Sequence, residues 1–317
     1  MKEGARLGVD IGGTFTDVAL ELGEERWSAK ILTTPDAPER AVIEVIHRAL
    51  GEAGLGPADL SIIIHGTTLA TNAIIERKGA KTALLTTEGF RDTIEIRHEN
   101  RFEQYDVNID LPPPLVPRRL RFPVKERVDA QGRVLVPLDE AGVAGLAGRL
   151  AAERVEAIAI GFLHSFTNPA HERRAGEILA RHLPEVPVTL SSEVSPEMRE
   201  YERFSTACAN AYVQPLIGRY LANLETLLRR ERFTCPLFLM LSGGGLTAVE
   251  TAIRFPVRLV ESGPAGGAIF AAGFARQRAL DKVLSYDMGG TTAKICLIDD
   301  LKPQTSRAFE VDRMFVL

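Results

Sequence analysis

Two short runs near opposite ends of the chain constrain its fold more than any other feature. LGVDIGGTFTDVAL (Leu7 to Leu20) and LSYDMGGTTAKICL (Leu284 to Leu297) share one pattern. Apolar residues lead to an Asp, a Gly-Gly-Thr turn follows, and apolar residues lead out again, so each run predicts a strand-turn-strand hairpin. In the first, Asp10 starts the turn, Gly12 and Gly13 leave backbone N–H groups unobstructed by a Cβ, and Thr14 and Thr16 add hydroxyls. That combination suits the cradling of phosphate. In the second, Asp287, Gly289, Gly290, Thr291 and Thr292 offer the same groups and could grip the same phosphate from the other side. One such turn is usually only a hairpin; two on matching frames point to a phosphate clamp.

With 317 residues and 45% hydrophobic content, the chain has material for about two ordinary domains. The net charge of -4 is small and the basic residues are dispersed, which argues against a nucleic-acid partner. Cys208, Cys235 and Cys296 are far apart, odd in number and without metal-ligand spacing, so neither a disulfide framework nor a zinc site is expected. A reducing cytoplasm fits. MKEGAR passes straight into a strand, and no run approaches the ~20 apolar residues of a membrane span, so no membrane partner is expected.

After the first hairpin, Trp27 to Leu32 predicts a third antiparallel strand and Pro38 to about Ala53 a helix closed by Gly54. In that helix Ala41, Val42, Val45, Ile46, Ala49 and Leu50 fall at helical spacing. Ile62 to Ile64 then predicts a buried strand ending at His65-Gly66-Thr67-Thr68, with a helix from Leu69 to Arg77. Ligands of open α/β sheets sit beyond the carboxyl ends of strands, so His65, Thr67, Thr68 and Asn72 could line a substrate pocket. The alternative is that the threonines cap the helix and His65 is satisfied inside the fold.

From Ala80 to about Ser195 the alternation of strands (82–86, 157–163, 186–190) and helices (138–154, 169–182) predicts a separate parallel α/β unit. An irregular arm, Arg97 to Val136, interrupts it, with a hairpin turn at Asp129-Ala130-Gln131-Gly132. Such an arm is expected to reach over a site or to pack on another chain. Its Arg118, Arg119, Arg121, Lys125 and Arg127 read most simply as alternating exposure on a surface strand. His98, His164 and His171 belong to different elements and do not make a metal set. Ser242 lacks a nucleophile-elbow context and Cys208 sits within a helix.

Phe204, Cys208, Tyr212, Leu216, Tyr220, Leu224 and Leu228 recur every four residues and predict a long helix that Pro215 kinks or splits. Strands are expected at 237–241 and 257–260. The run ESGPAGGAIFAAGFA (Glu261 to Ala275) predicts a helix with Pro264 at its first position. Gly266, Gly267, Ala268, Ala271 and Ala272 give it a face open to a closely crossing helix, as a hinge would need.

This order of phosphate hairpin, small-residue helix introduced by an acid, and second phosphate hairpin resembles the superfamily of actin, sugar kinases and heat-shock chaperones. More narrowly, GVDIGGTFTD, HGTTLATNAIIERKGAKTALLTTEGFRD, FLHSFTNPAHE, LSSEVSPEMREYERFSTACANAYVQPL, ESGPAGG and DMGGTTAKICLIDD are similar to the hydantoinase A and 5-oxoprolinase family. The resemblance runs essentially from end to end. It implies an α/β fold: an actin-like (ribonuclease-H-like) ATPase lobe with a large inserted α/β unit and only the first hairpin of the second lobe. The implied domains are 1–79 (first part of the lobe), 80–198 (inserted unit), 199–281 (long helix and connector helix) and 282–317 (start of the second lobe).

The resemblance further implies ATP-dependent opening of a cyclic amide of hydantoin or 5-oxoproline type, with Mg²⁺ present. Asp10 and Asp287 would be catalytic and hold the metal; Gly12, Gly13, Thr14, Thr16, Gly289, Gly290, Thr291 and Thr292 would hold phosphate oxygens. An ATP-using subunit of an acetone or acetophenone carboxylase is the alternative enzyme. Two features depart from the family pattern. Lys294 stands where many members carry an acid, either facing phosphate or facing solvent. Too few residues follow it for a second lobe, so a longer protein, a partner subunit or a non-catalytic module is expected, with homo-oligomerisation possible.

Overall fold

The computed structural model describes residues 4–98, 103, 105–109, 111–288, 293–306, 310–311 and 315–316. Strands β1 (Ala5–Ile11) and β2 (Phe15–Leu22) pair antiparallel, with Asp10 opposite Asp17, and β3 (Glu25–Leu32) continues the meander through Gly23 at φ +60°. Ala5, Leu7, Val9 and Ile11 of β1 are buried while the residues between them are not, the period-two signature of a half-buried strand. Helix α1 (Pro38–Ala53) buries the six apolar residues named above. Pro38 opens it and Gly54, left-handed at φ 67°, closes it. Strand β4 (Leu60–Thr67) runs parallel to β1, and α2 (Leu69–Ile75) follows.

Next come β5 (Thr82–Thr87), α3 (Thr93–Ile96), β6 (Arg121–Val124), β7 (Arg127–Val128) and β8 (Val134–Val136). The β7–β8 hairpin turns where the sequence places it, around Asp129, whose Oδ1 accepts from the N–H groups of Gln131 (3.0 Å) and Arg133 (2.9 Å). Helix α4 (Glu140–Ala152) is capped by Asp139. Then follow β9 (Ala157–Gly161), α5 (Ala170–His182), β10 (Val188–Leu190), α6 (Ser191–Val194) and α7 (Glu200–Arg230). The chain continues with β11 (Leu237–Met240), β12 (Leu246–Ala248), α8 (Val249–Arg254), α9 (Ser262–Arg278), β13 (Lys282–Met288), β14 (Ala293–Asp299) and β15 (Lys302–Pro303).

The chain divides into two compact units, Met1–Asn72 with Ile217–Arg307, and Ala73–Leu216 with Ala308–Leu317. Among the described residues, the first holds a six-stranded mixed sheet of order β12-β11-β4-β1-β2-β3 and a separate sheet β13-β14-β15. In the second, β10-β9-β5-β6 are all parallel. The expected α/β architecture is present.

Six local expectations are corrected. Pro256–Leu259 is a turn of 3-10 helix rather than a strand: Pro256 opens it, fixing φ and lacking the N–H a ladder needs, and a run of four residues is too short for its period to distinguish the two. Part of the arm is not irregular, because β6 joins the sheet beside β5. On β6, Arg121 is buried rather than alternately exposed: its guanidinium donates to Val116 O (3.0 Å) and Glu95 Oε2 (2.6 Å). Its neighbours Arg118 and Arg119 pair with Asp92 and Glu153 within the unit. Helix α7 runs unbroken through Pro215, flanked by buried Tyr212, Val213 and Ile217, so packing outweighs one lost hydrogen bond. Pro264 is the third residue of α9, still in the first turn where no N–H partner is lost. Added Cβ atoms at Gly266 and Gly267 would meet nothing within 4 Å, so no helix crosses there among the described residues.

A buried carboxylate joins the ends of β9 and β10. Glu172, fully buried, accepts from Phe162 N–H (2.9 Å), Ser192 N–H (2.9 Å) and the Ser191 hydroxyl (2.6 Å). Glu172→Ala leaves two buried amides unsatisfied and is expected to cost on the order of 3 kcal/mol, read as a lowered urea midpoint with unchanged slope. Glu172→Gln, which keeps one acceptor oxygen, is expected to cost less.

Candidate phosphate-binding site

The first hairpin turn is braced from its third strand. Gly12 N–H donates to Phe15 O (2.9 Å), the Thr33 hydroxyl donates to Gly12 O (2.9 Å), and Thr33 N–H donates to Thr14 O (2.9 Å). Thr16, expected at phosphate, is buried, and its hydroxyl lies 2.9 Å from that of Thr33; it stiffens the turn from inside. Gly13 and Thr14 are exposed, and neither of their N–H groups has an acceptor among the described residues. Two adjacent amides without an acceptor among the described residues are donors available to an anion.

The end of β4 closes the site from the other side. Asp10 and Gly66 are register partners, and a Cβ on Gly66 would lie 2.6 Å from Asp10 Oδ1, so only glycine lets the carboxylate lie flat across the strand. Thr68 donates to Ile11 O through both its N–H and its hydroxyl (3.1 Å each). Asn72 Nδ2 donates to the Thr68 hydroxyl (3.3 Å) and would be 3.3 Å from a Cβ on Gly13. Asp10, Gly13, Thr68 and Asn72 are therefore gathered at one place.

His65 and Thr67 are not part of that surface. His65 is fully buried, with Nδ1 donating to Val9 O (3.2 Å) and Nε2 accepting from Tyr220 Oη (2.6 Å). Burial pushes its pKa down to about 4, against a weaker upward pull from Val9 O. Thr67 Oγ1 accepts from Leu69 N–H (3.1 Å) at the start of α2, and the Thr67 backbone is bound by the Ser262 hydroxyl. Both residues follow the interior alternative left open by the sequence.

Asp10 is open to solvent at its surface yet surrounded by much protein. Its pKa is raised, first by desolvation, then by Asp17 and by Asp287, while Lys30 opposes the rise. Asp17 is held by Lys30 at 2.7 and 2.9 Å. The second hairpin repeats the register: Asp287 stands opposite Lys294 as Asp10 stands opposite Asp17. Lys294, with its side chain 37% exposed, is paired with Glu261. Gly289, Gly290, Thr291 and Thr292 lie outside the described residues.

No group of three or more His, Cys, Asp or Glu residues forms a metal cage among the described residues. His98, His164 and His171 each lie beside a separate glutamate, Glu202, Glu200 and Glu126. The Cys208 thiol is buried and pushed up to about 12, and Ser242 donates to Arg258 O (3.1 Å). No described helix is long and apolar enough to cross a membrane. Sequence reasoning missed Gly66, Thr33, Tyr220 and the partner of Lys294; of these only Gly66, inside HGTT, carried a signal.

Two outcomes follow. Neutral His65 is favoured in the folded state, so its contribution to stability is complete above pH 6.5 and is lost as pH falls toward 4, by about 3 kcal/mol in all. Urea titrations at pH 7 and pH 4 check this, with His65→Gln expected to reduce the pH dependence. Ionised Asp10 is disfavoured in the folded state, so Asp10→Asn is expected to raise the melting temperature of the ligand-free protein at pH 7.

A family profile described as "Hydantoinase/oxoprolinase N-terminal region" matches residues 6–183, and one described as "Hydantoinase/oxoprolinase" matches residues 203–317. The caprolactamase subunit alpha of Pseudomonas jessenii is 36% identical over 93% of this chain and 44% of its own length. The crystal structure of that ATP-dependent caprolactamase superimposes with a TM-score of 0.84 over 92% of this chain. The 5-oxoprolinase of Saccharomyces cerevisiae is 33% identical over 94% of this chain and 26% of its own length. A nucleotide-free acetone carboxylase structure matches with a TM-score of 0.85 at 26% identity, covering 99% of this chain and 46% of the other. The chain thus spans less than half the length of each of these relatives. By both family matches, which together take in almost its whole length, the chain belongs to the hydantoinase/oxoprolinase family.

Proposed function

We propose that this chain supplies the phosphate-binding part of an ATP-dependent enzyme that opens a cyclic amide. The observation that carries the reading is the Asp10 turn: two free amides at Gly13 and Thr14, beside an acid whose ionisation is resisted in the absence of a cation. The names of the caprolactamase and the 5-oxoprolinase support the substrate class, and that of the caprolactamase supports ATP. The fold reading that goes with it is an actin-like lobe, supported by the three-strand meander, α1, and α9 leading into a second hairpin.

The residues fit Mg²⁺ and ATP. Carboxylate oxygens are the hard donors Mg²⁺ takes, and Asp10 and Asp287 lie close enough to raise the proton affinity of Asp10, which a shared cation relieves. In this reading Asp10 and Asp287 hold Mg²⁺ directly or through water. The amides of Gly13 and Thr14 bind phosphate oxygens, and Gly12 shapes the turn. Gly289, Gly290, Thr291 and Thr292 complete the clamp by their sequence pattern. Thr68 and Asn72 fix the turn from β4 and α2. A lactam carbonyl is a poor electrophile; transfer of the terminal phosphoryl group of ATP to its oxygen, with ADP leaving, opens the carbon to water. The rest of the enzyme, in this reading, comes from further sequence or a partner subunit, and three free cysteines suit a reducing cytoplasm.

A second reading, the ATP-using subunit of a ketone carboxylase, is favoured by the likeness to acetone carboxylase. Both use the same site, so one test serves each: ATP cleavage by the complete assembly, stimulated by a ring amide or by a ketone with bicarbonate. Asp10→Ala is expected to lower that turnover by on the order of 10² or more. Turnover like that of the unaltered protein would exclude the site.

A further inference from the structure

Lys294 and Glu261 carry an inference that rests on the ATP reading and extends it. Lys294 is the cross-strand neighbour of Asp287, so both side chains lie on the same face of the β13–β14 hairpin, the face whose Asp287 acts on Asp10. A lysine there has a natural anionic partner in a bound polyphosphate. Its partner in the structure is the carboxylate of Glu261.

Glu261 is held in place to make that pair. It occupies left-handed backbone, φ 67° and ψ 22°, which disfavours a residue with a Cβ. Although it stands at the N-cap of α9, its side chain caps no amide of the helix. Its N–H donates to the Thr71 hydroxyl (3.3 Å), and the hydroxyl of the next residue, Ser262, is bonded to Thr67 N and O (3.3 and 3.2 Å). The residue is thereby fixed against Thr71 and the Thr67 backbone at the end of β4, with its carboxylate paired to the cation of the second hairpin. At the first hairpin the equivalent cross-strand position holds Asp17, which pairs with Lys30, so the two hairpins share a register with opposite charge at this point.

We propose that Lys294 is a phosphate-contacting residue held in reserve by Glu261, and that it transfers from the Glu261 carboxylate to a phosphate oxygen when Mg·ATP binds. The exchange replaces one charge-assisted hydrogen bond by another, so Glu261 acts as a competitor that lowers the affinity for nucleotide. A pair that merely held α9 to the hairpin would behave differently, because loss of either partner would then weaken the site.

Calorimetric titration of the full chain with Mg·ATP, and in parallel with magnesium tripolyphosphate, separates these cases. Lys294→Met is expected to weaken binding about tenfold or more, the scale of one charge-assisted hydrogen bond, and Lys294→Arg to restore much of it. Glu261→Gln is expected to tighten binding several-fold. Weakening by both Glu261→Gln and Lys294→Met, or no effect of either, overturns the proposal while leaving the phosphate site in place. No binding of either probe by the unaltered chain overturns the phosphate site and this proposal together.

Discussion

The approach of the Asp10 carboxylate to the Gly66 backbone is the constraint on which the rest of the site depends. It requires β1 and β4 to run parallel in one register, a strand residue without a side chain opposite the acid, and a turn directly after Ile11. The buried stripe of α1 and the His65–Tyr220 pair fill the interior beneath this register. Above it, Thr68 binds Ile11 O twice and Thr33 holds Gly12 and Thr14, so the turn is fixed from both neighbouring strands before any ligand arrives. Preorganisation of this kind is what makes backbone amides effective toward developing or bound negative charge.

Charge is distributed around that turn in a way that resists the empty state. Asp10 is desolvated by the surrounding protein and flanked by Asp17 and Asp287, and its raised pKa follows first from that desolvation and then from those two charges. Two of the neighbouring charges have counter-ions within the same unit, Lys30 for Asp17 and Glu261 for Lys294. Among the described residues, neither Asp10 nor Asp287 is held in an ion pair. A divalent cation at Asp10 and Asp287 would relieve the repulsion that burial and like charge create, which explains how a site that destabilises the free protein is retained.

Much of the fold was legible in the sequence because strong local signals agreed with the final packing. Helix α1 was readable from its six apolar residues, Pro38 and Gly54, and the β7–β8 turn from Asp129 to Gly132. Legibility failed where long-range packing overruled local pattern. Pro215 sits in an unbroken helix because its neighbours are buried on both sides, and Arg121 is interior because Glu95 and Val116 satisfy it from segments a reader of β6 alone would not connect. The expected strand at 257–260 gave way to a 3-10 turn at Pro256–Leu259, because Pro256 fixes φ and lacks a ladder N–H. Within the site, the Asp and Gly-Gly-Thr pattern marked the turn, but the roles of its threonines were hidden. Thr16 and Thr14 look alike in sequence, yet strand alternation puts one inside and leaves the other open. The Glu261–Lys294 pair links residues far apart in sequence and had no local signature.

The most direct test of the account is hydrogen–deuterium exchange of the protein with and without Mg·ATP, resolved at the first hairpin turn. The amides of Gly13 and Thr14 have no acceptor among the described residues, so they are expected to exchange rapidly and to become protected when the nucleotide binds. Binding of Mg·ATP that leaves those two amides unprotected would contradict a phosphate site at Asp10.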